Sequence, residues 1–251
     1  KEKMSLTEGN VYKTLLTFAV PFMLAQLLQA LYGAVDLMVV GQFAATADVS
    51  AVSMGSQIMY LASFVVLGFA SAVTVLMGQY FGAGQEKRLA KLMGAAIVFF
   101  IFISVLLSVL VACFRRPIVA FMNTPAEAVE PALDYILICS IGLSFVGGYN
   151  VVCGILRALG DSKTPLLFVA IACVFNIVLD IVLVRNFHMG AGGAALATSF
   201  AQGISFLFSL IYLRKRGLGF PFSVRDIGLL WDQIWNIIKI GTPIVVQNSL
   251  T

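Results

Sequence analysis

Residues 165–184 read Pro-Leu-Leu-Phe-Val-Ala-Ile-Ala-Cys-Val-Phe-Asn-Ile-Val-Leu-Asp-Ile-Val-Leu-Val. As a helix this run is about 30 Å long at 1.5 Å per residue, the thickness of a bilayer's hydrocarbon core. It nevertheless carries Asn176 and Asp180. Four residues apart, they share one helix face, one turn from each other. A carboxylate in hydrocarbon costs several kcal/mol unless it is paired, hydrated or protonated. The rest of the chain must therefore supply something that faces these two residues.

The whole chain repeats the character of this stretch. Of 251 residues, 60% are hydrophobic and 11% are charged, against about 25% charged in a soluble domain. Mean hydropathy is +0.99. So much apolar surface needs lipid around it. No run alternates as the strands of an outer-membrane barrel do, so the composition predicts an all-α integral membrane protein.

Six apolar segments of about 20 residues or more meet the length requirement. They run from Thr14 to Val40, Val49 to Tyr80, Leu89 to Phe114, Pro131 to Leu159, Thr164 to Val184 and Gly190 to Leu213. A seventh run starts near Trp231 and resembles the first. Pro243 matches Pro21, and an amide follows five residues after each proline, Asn248 and Gln26. An even number of helices followed by a restart is the pattern of a transporter half-repeat. Residues 1–216 are therefore read as a six-helix bundle, 217–230 as a linker with Gly217, Gly219 and Pro221, and 231–251 as the start of helix seven. On this reading the chain is the N-terminal half of a protein about twice as long.

Loop charges orient the bundle. Thirteen of the 16 basic residues fall on the side of the N-terminus and only Arg115, Arg116 and Arg185 on the other. The N-terminus is thus expected in the cytoplasm, with the chain crossing the plasma membrane several times. Residues 1–10 are polar and are not expected to act as a cleavable signal; the first apolar segment is too long for one. Cys113, Cys139, Cys153 and Cys173 sit in apolar runs without metal-ligand spacing and read as small buried apolar residues. Basic residues confined to short loops give no nucleic-acid surface, and no cofactor is expected.

Depth follows from helix rise. Asp180 lies roughly 16 residues, or about 24 Å, past the inner end of its segment, in the outer half of the membrane. Asp36 lies roughly 23 residues beyond Lys13, and Thr198 about 12 Å in from the outer side. Tyr135 sits in the first turns of segment four, next to Asp134, which reads as an interfacial acid. Asp36, Tyr135, Asn176, Asp180 and Thr198 thus fall at comparable depth. Oxygen-rich groups of this kind suit a proton or Na⁺. Pro21 removes a backbone hydrogen bond from segment one and is the candidate hinge. The small residues opening segment six, Gly190 to Ala197, permit close helix contact.

At these residues the chain resembles a multidrug and toxic compound extrusion (MATE) transporter of the DinF-like branch. The matching pieces are Pro21 with Gln26, Asp36 to Gly41, Gly78 to Gly84, Leu156 to Asp161 with Pro165, Asn176 to Asp180, and Gly193 to Thr198. Ala158 departs from the glycine usual at that point. The resemblance implies one six-helix lobe of a two-lobe antiporter that exports organic, often cationic compounds in exchange for Na⁺ or H⁺. It implies a coupling site at Asp36, Asn176, Asp180 and Thr198 with Tyr135 nearby, bending at Pro21, and a monomer. The alternative is a lipid-linked glycan flippase of the same superfamily, which would need cationic residues at mid-membrane to hold a pyrophosphate; none is present in the six segments. An enzyme is not expected, because the lone His188 has no partner ligands or nucleophile at membrane depth. The residues that would touch the exported compound are not legible.

Overall fold

The computed structural model describes residues 11–218, 220–223 and 226–250. Within them run seven helices: α1 Val11–Phe43, α2 Thr46–Gly82, α3 Glu86–Phe121, α4 Val129–Ala158, α5 Lys163–Asp180, α6 Gly190–Arg216 and α7 Trp231–Leu250. The polar residues 1–10, and with them the expectation about a signal sequence, lie outside the described residues. The first six helical stretches are long and apolar enough to cross a membrane. The protein is a multi-pass membrane protein built on one all-α bundle.

The helices overrun the apolar segments at most ends. α3 continues through Arg115, Arg116 and Pro117 to Phe121. Apolar composition is needed only where lipid touches the chain, whereas helical hydrogen bonding continues into the interfaces until a cap stops it. Asn123, at φ 51°, stops α3: its own N–H reaches Ala120 O at 3.1 Å, and Thr124 N–H reaches Val119 O at 3.4 Å. Gly160 ends α4 in the same way, at φ 81°.

α4 is the central helix. It packs against α2, α3 and α6, while α1 lies on α5 and α2. Small residues permit these approaches. A Cβ on Gly147 would meet Ser104 Oγ of α3, and one on Gly142 would sit 2.6 Å from Ser199 Oγ of α6. The outward faces of α3 and α5, with Phe102, Val105 and Val109 or Leu167, Val174 and Val178, are apolar and exposed, as lipid contact requires. Cys139, Cys153 and Cys173 are buried, but Cys113 is exposed on α3, contrary to the expectation that all four are buried. Its apolar run covers the whole circumference of a peripheral helix, so one cysteine faces outward.

α7 packs on α2 and α3. The crossing with α2 is closed by Gly68 against Val245 and by Gly241 against Phe69. The connection before α7 also packs rather than looping free: Phe220 is buried beside Leu89, Leu92 and Met93, and the Asp226 carbonyl lies directly over Gly94.

At the end of the bundle holding the α2–α3 and α4–α5 connections, Asp161 ties three helices. Its carboxylate accepts the Thr164 backbone N–H at 3.0 Å, capping α5, and the Thr164 hydroxyl at 2.7 Å. It also pairs with Arg216 at the end of α6, and Tyr212 donates to it at 3.4 Å. Asp161→Ala is expected to cost about 1–2 kcal/mol, from a lost cap and a partly exposed ion pair. Thermal unfolding of the purified protein should report roughly 3–8 °C of destabilisation. Asp161→Asn, which keeps the cap, should lose less than half of that.

Candidate functional site: two buried carboxyls beside a cavity

The side chains brought together first are those of Asn176 and Asp180. α5 turns its apolar residues outward to Val174 and Val178 and both polar residues inward; each is 0% exposed. The face they meet belongs to α1 and α6. Asp36 of α1 is 3% exposed. The Thr198 hydroxyl of α6 donates to Asp36 Oδ2 at 2.6 Å, and Asn176 Nδ2 donates to Thr198 Oγ1 at 3.4 Å. The Asp36 carboxyl is the charged neighbour of the Asp180 carboxyl. Four of the five residues singled out from the sequence thus form one cluster across α1, α5 and α6.

The cluster is rich in acceptors. Among the described residues, Asp36 Oδ1, Asn176 Oδ1 and both oxygens of Asp180 are buried without a hydrogen-bond partner. Leaving such groups unmet costs about 1–3 kcal/mol each, more when charged. Two neighbouring buried carboxyls do not easily both stay ionised, so the pair favours a proton or cation. The oxygen set is chemically suited to either, since hard cations take carboxylate and amide oxygens.

Helix α5 changes character at this point. From Ile181 to Asn186 its hydrogen bonds widen to a π-helical pattern, and the Phe187 N–H reaches back five residues to Val182 O at 3.1 Å. The sequence predicts one uninterrupted helix to Val184; instead the α-helix ends at Asp180. Single π turns of this kind occur frequently at functional sites.

Tyr135 of α4 lies in the same cavity wall as Asp36 and Thr198, with its hydroxyl turned to α2. It is buried, 3% exposed, with its ring against Gly55. Its hydroxyl pairs with Ser56 Oγ at 3.1 Å. It borders, with Asp36 and Thr198, a cavity of about 330 Å³. Gln26, Gln29, Tyr60, Ser63 and Gln202 add polar groups to the lining, and Met59, Phe64 and Leu67 add apolar ones. The contribution of α2 was missed from the sequence, although Ser56, Tyr60 and Ser63 recur at helical spacing on one face. Asp134 is exposed, as an interfacial acid would be.

Pro21 lies inside α1 and is buried, and the helix continues through it. The next residue, Phe22, lies under the guanidinium of Arg157 from the end of α4, 5.2 Å from the ring centroid. α1 is thereby held to α4 beside the proline.

A membrane-spanning helical bundle with two buried acids, one of them bordering a cavity, is an arrangement that membrane transporters use. The family model MatE matches residues 21–182, and the chain belongs to the multidrug and toxic compound extrusion family. It is 34% identical over 96% of its length to the probable multidrug resistance protein YpnP of Bacillus subtilis, covering 54% of that protein. It is 28% identical over 95% of its length to the probable multidrug resistance protein NorM of Thermotoga maritima, covering 52%. A solved MOP superfamily transporter from Pyrococcus furiosus superposes over 99% of this chain and 55% of its own, at TM-score 0.90 and 22% identity, which establishes the fold. The chain thus spans about half the length of the relatives it matches.

Proposed function

We propose that this chain is the N-terminal lobe of a multidrug efflux antiporter driven by H⁺ or Na⁺. The observation that carries the proposal is the set of orphaned buried oxygens on Asp36, Asn176 and Asp180, next to a cavity. The relatives named as multidrug resistance proteins support the efflux half of the reading. A second lobe of the same chain would complete the cavity. The positive-inside distribution supports a cytoplasmic N-terminus, and on this reading the protein is a plasma-membrane monomer.

In this mechanism the ion and the drug bind different states of the lobe with different affinities, since only a differential affinity couples them. A proton or Na⁺ arriving at Asp36 and Asp180 satisfies the orphaned oxygens and neutralises the pair. α1, which carries Asp36, shifts on the other helices around Pro21, and the cavity it borders changes shape. Organic cations fit the cavity better than a pyrophosphate does: among the described residues Asp36 lies in its wall and no lysine or arginine does. That composition disfavours the flippase alternative.

The test is transport by the complete two-lobe protein in liposomes loaded with a fluorescent organic cation. Export that rises on imposing a pH or a Na⁺ gradient, and differs between them, is expected. Export indifferent to both gradients would overturn the coupling assignment.

A further inference from the structure

A second cleft lies apart from the carboxyl pair, where α3 ends and α4 begins. Its volume is about 470 Å³. Arg116, Asn123, Thr124 and Glu130 line its polar part, and Val119 and Leu133 are buried in its floor. Arg116 and Glu130 are both exposed, and neither makes an ion pair or side-chain hydrogen bond among the described residues. The Thr124 hydroxyl donates inward to Val119 O at 3.0 Å, so its remaining lone pair is left as an acceptor. The adjacent Arg115 has one guanidinium nitrogen buried with no acceptor among the described residues.

The cleft sits at headgroup level. From Lys91 to Arg116 is about 25 residues, or about 37 Å of helix, against a hydrocarbon core of about 30 Å. With Lys91 at one headgroup layer, Arg116 reaches the other, whichever way the bundle is oriented. Between them α3 presents Phe102, Val105, Val109 and Phe114 outward, and beyond Arg116 it presents Phe121, 88% exposed.

One cation and one anion thus border a single cleft at a membrane surface without neutralising each other. We propose that the cleft binds the headgroup of an ethanolamine phospholipid. The phosphate diester lies on Arg116, and the primary ammonium donates to Glu130 and to the Thr124 hydroxyl. The upper acyl chain runs over the exposed apolar side chains of α3. A phosphoglycerol headgroup would satisfy Arg116 but bring no cation to Glu130. A choline headgroup would bring charge but no N–H donors.

The complete transporter, reconstituted in nanodiscs with equal phosphatidylethanolamine, phosphatidylcholine and phosphatidylglycerol, should retain the ethanolamine lipid preferentially on extraction. Retained lipid is read by native mass spectrometry. The preference expected is about tenfold, the order that one charge-assisted hydrogen bond supplies. Glu130→Gln should shift the preference to phosphatidylglycerol, because a lone arginine then faces the headgroup. The charge-exchanged double variant Arg116→Glu/Glu130→Arg keeps both charges and should regain most of the ethanolamine preference. That recovery separates headgroup recognition from damage to the fold. Equal retention of the three lipids by the unaltered protein would overturn the proposal. So would a Glu130→Gln variant with the same selectivity as the parent.

Discussion

Asp180→Asn in the complete transporter is expected to abolish gradient-driven export while leaving the protein folded and inserted. Asp180 is 0% exposed and both its oxygens lack a hydrogen-bond partner among the described residues. Its carboxyl faces Asp36 rather than a basic residue. Asparagine has nearly the same shape but can neither carry a proton on and off nor give a cation a charge. Allosteric coupling energies of about 1–3 kcal/mol correspond to about 5–150-fold. Full loss of coupling should therefore lower gradient-driven export of a dye by roughly 100-fold.

Stability should not fall with it. Replacing a buried, unpaired carboxyl by a neutral amide removes a desolvation cost, so the melting temperature should hold or rise. Asp36→Asn should behave alike, because the amide oxygen still accepts from Thr198. The double variant should be no worse than either single one, as expected for two groups acting as one titrating pair. An Asp180→Asn transporter that exports dye at the normal rate would remove the carboxyl pair from the mechanism.

Gly190→Ala is the substitution with the largest expected cost in stability. Gly190 opens α6 at φ +53°, where a side chain clashes with its own backbone; the penalty is about 1–2 kcal/mol. A Cβ there would also collide with Asp48 Oδ1. That oxygen accepts the Ala191 N–H at 2.9 Å and so caps α6 from the first turn of α2. Displacing it loses a cap worth about 1 kcal/mol. Together the change should cost roughly 2–4 kcal/mol, or about 5–15 °C in thermal unfolding. On an Asp48→Ala background the same glycine change should cost less, since the clash has gone. A shift of under about 1 °C for Gly190→Ala would show that the α2–α6 clasp carries no weight.

Much of the site was legible because membrane helices obey two strict rules. Each crosses the bilayer in a length fixed by helix rise, and each hides its polar groups. The first rule put Asp36, Asp180 and Thr198 at one depth; the second made Asp180 conspicuous. Spacing alone placed Asn176 on the same face as Asp180. Tyr135 shares a cavity wall with Asp36 and Thr198, but its hydroxyl partner was not legible. Depth says nothing about which neighbour a hydroxyl meets, and Ser56 of α2 turned out to be nearer in direction. The polar face of α2 and the stacking of Arg157 on Phe22 were hidden for the same reason. So was the three-helix tie at Asp161, although its cap on α5 is local.

The sequence by itself determined that this is a helical membrane bundle of six crossings with an acid buried in the fifth. Hydrocarbon admits few backbone solutions, and composition is enough to select among them. Only the tertiary structure decided that Asp36 faces Asp180. Helix rotation is set by small contacts between neighbours, such as Gly142 on Ser199 and Gly55 on Tyr135. The widening of α5 into a π turn directly after Asp180 is likewise a product of packing, since propensity within one apolar run does not distinguish an α from a π turn.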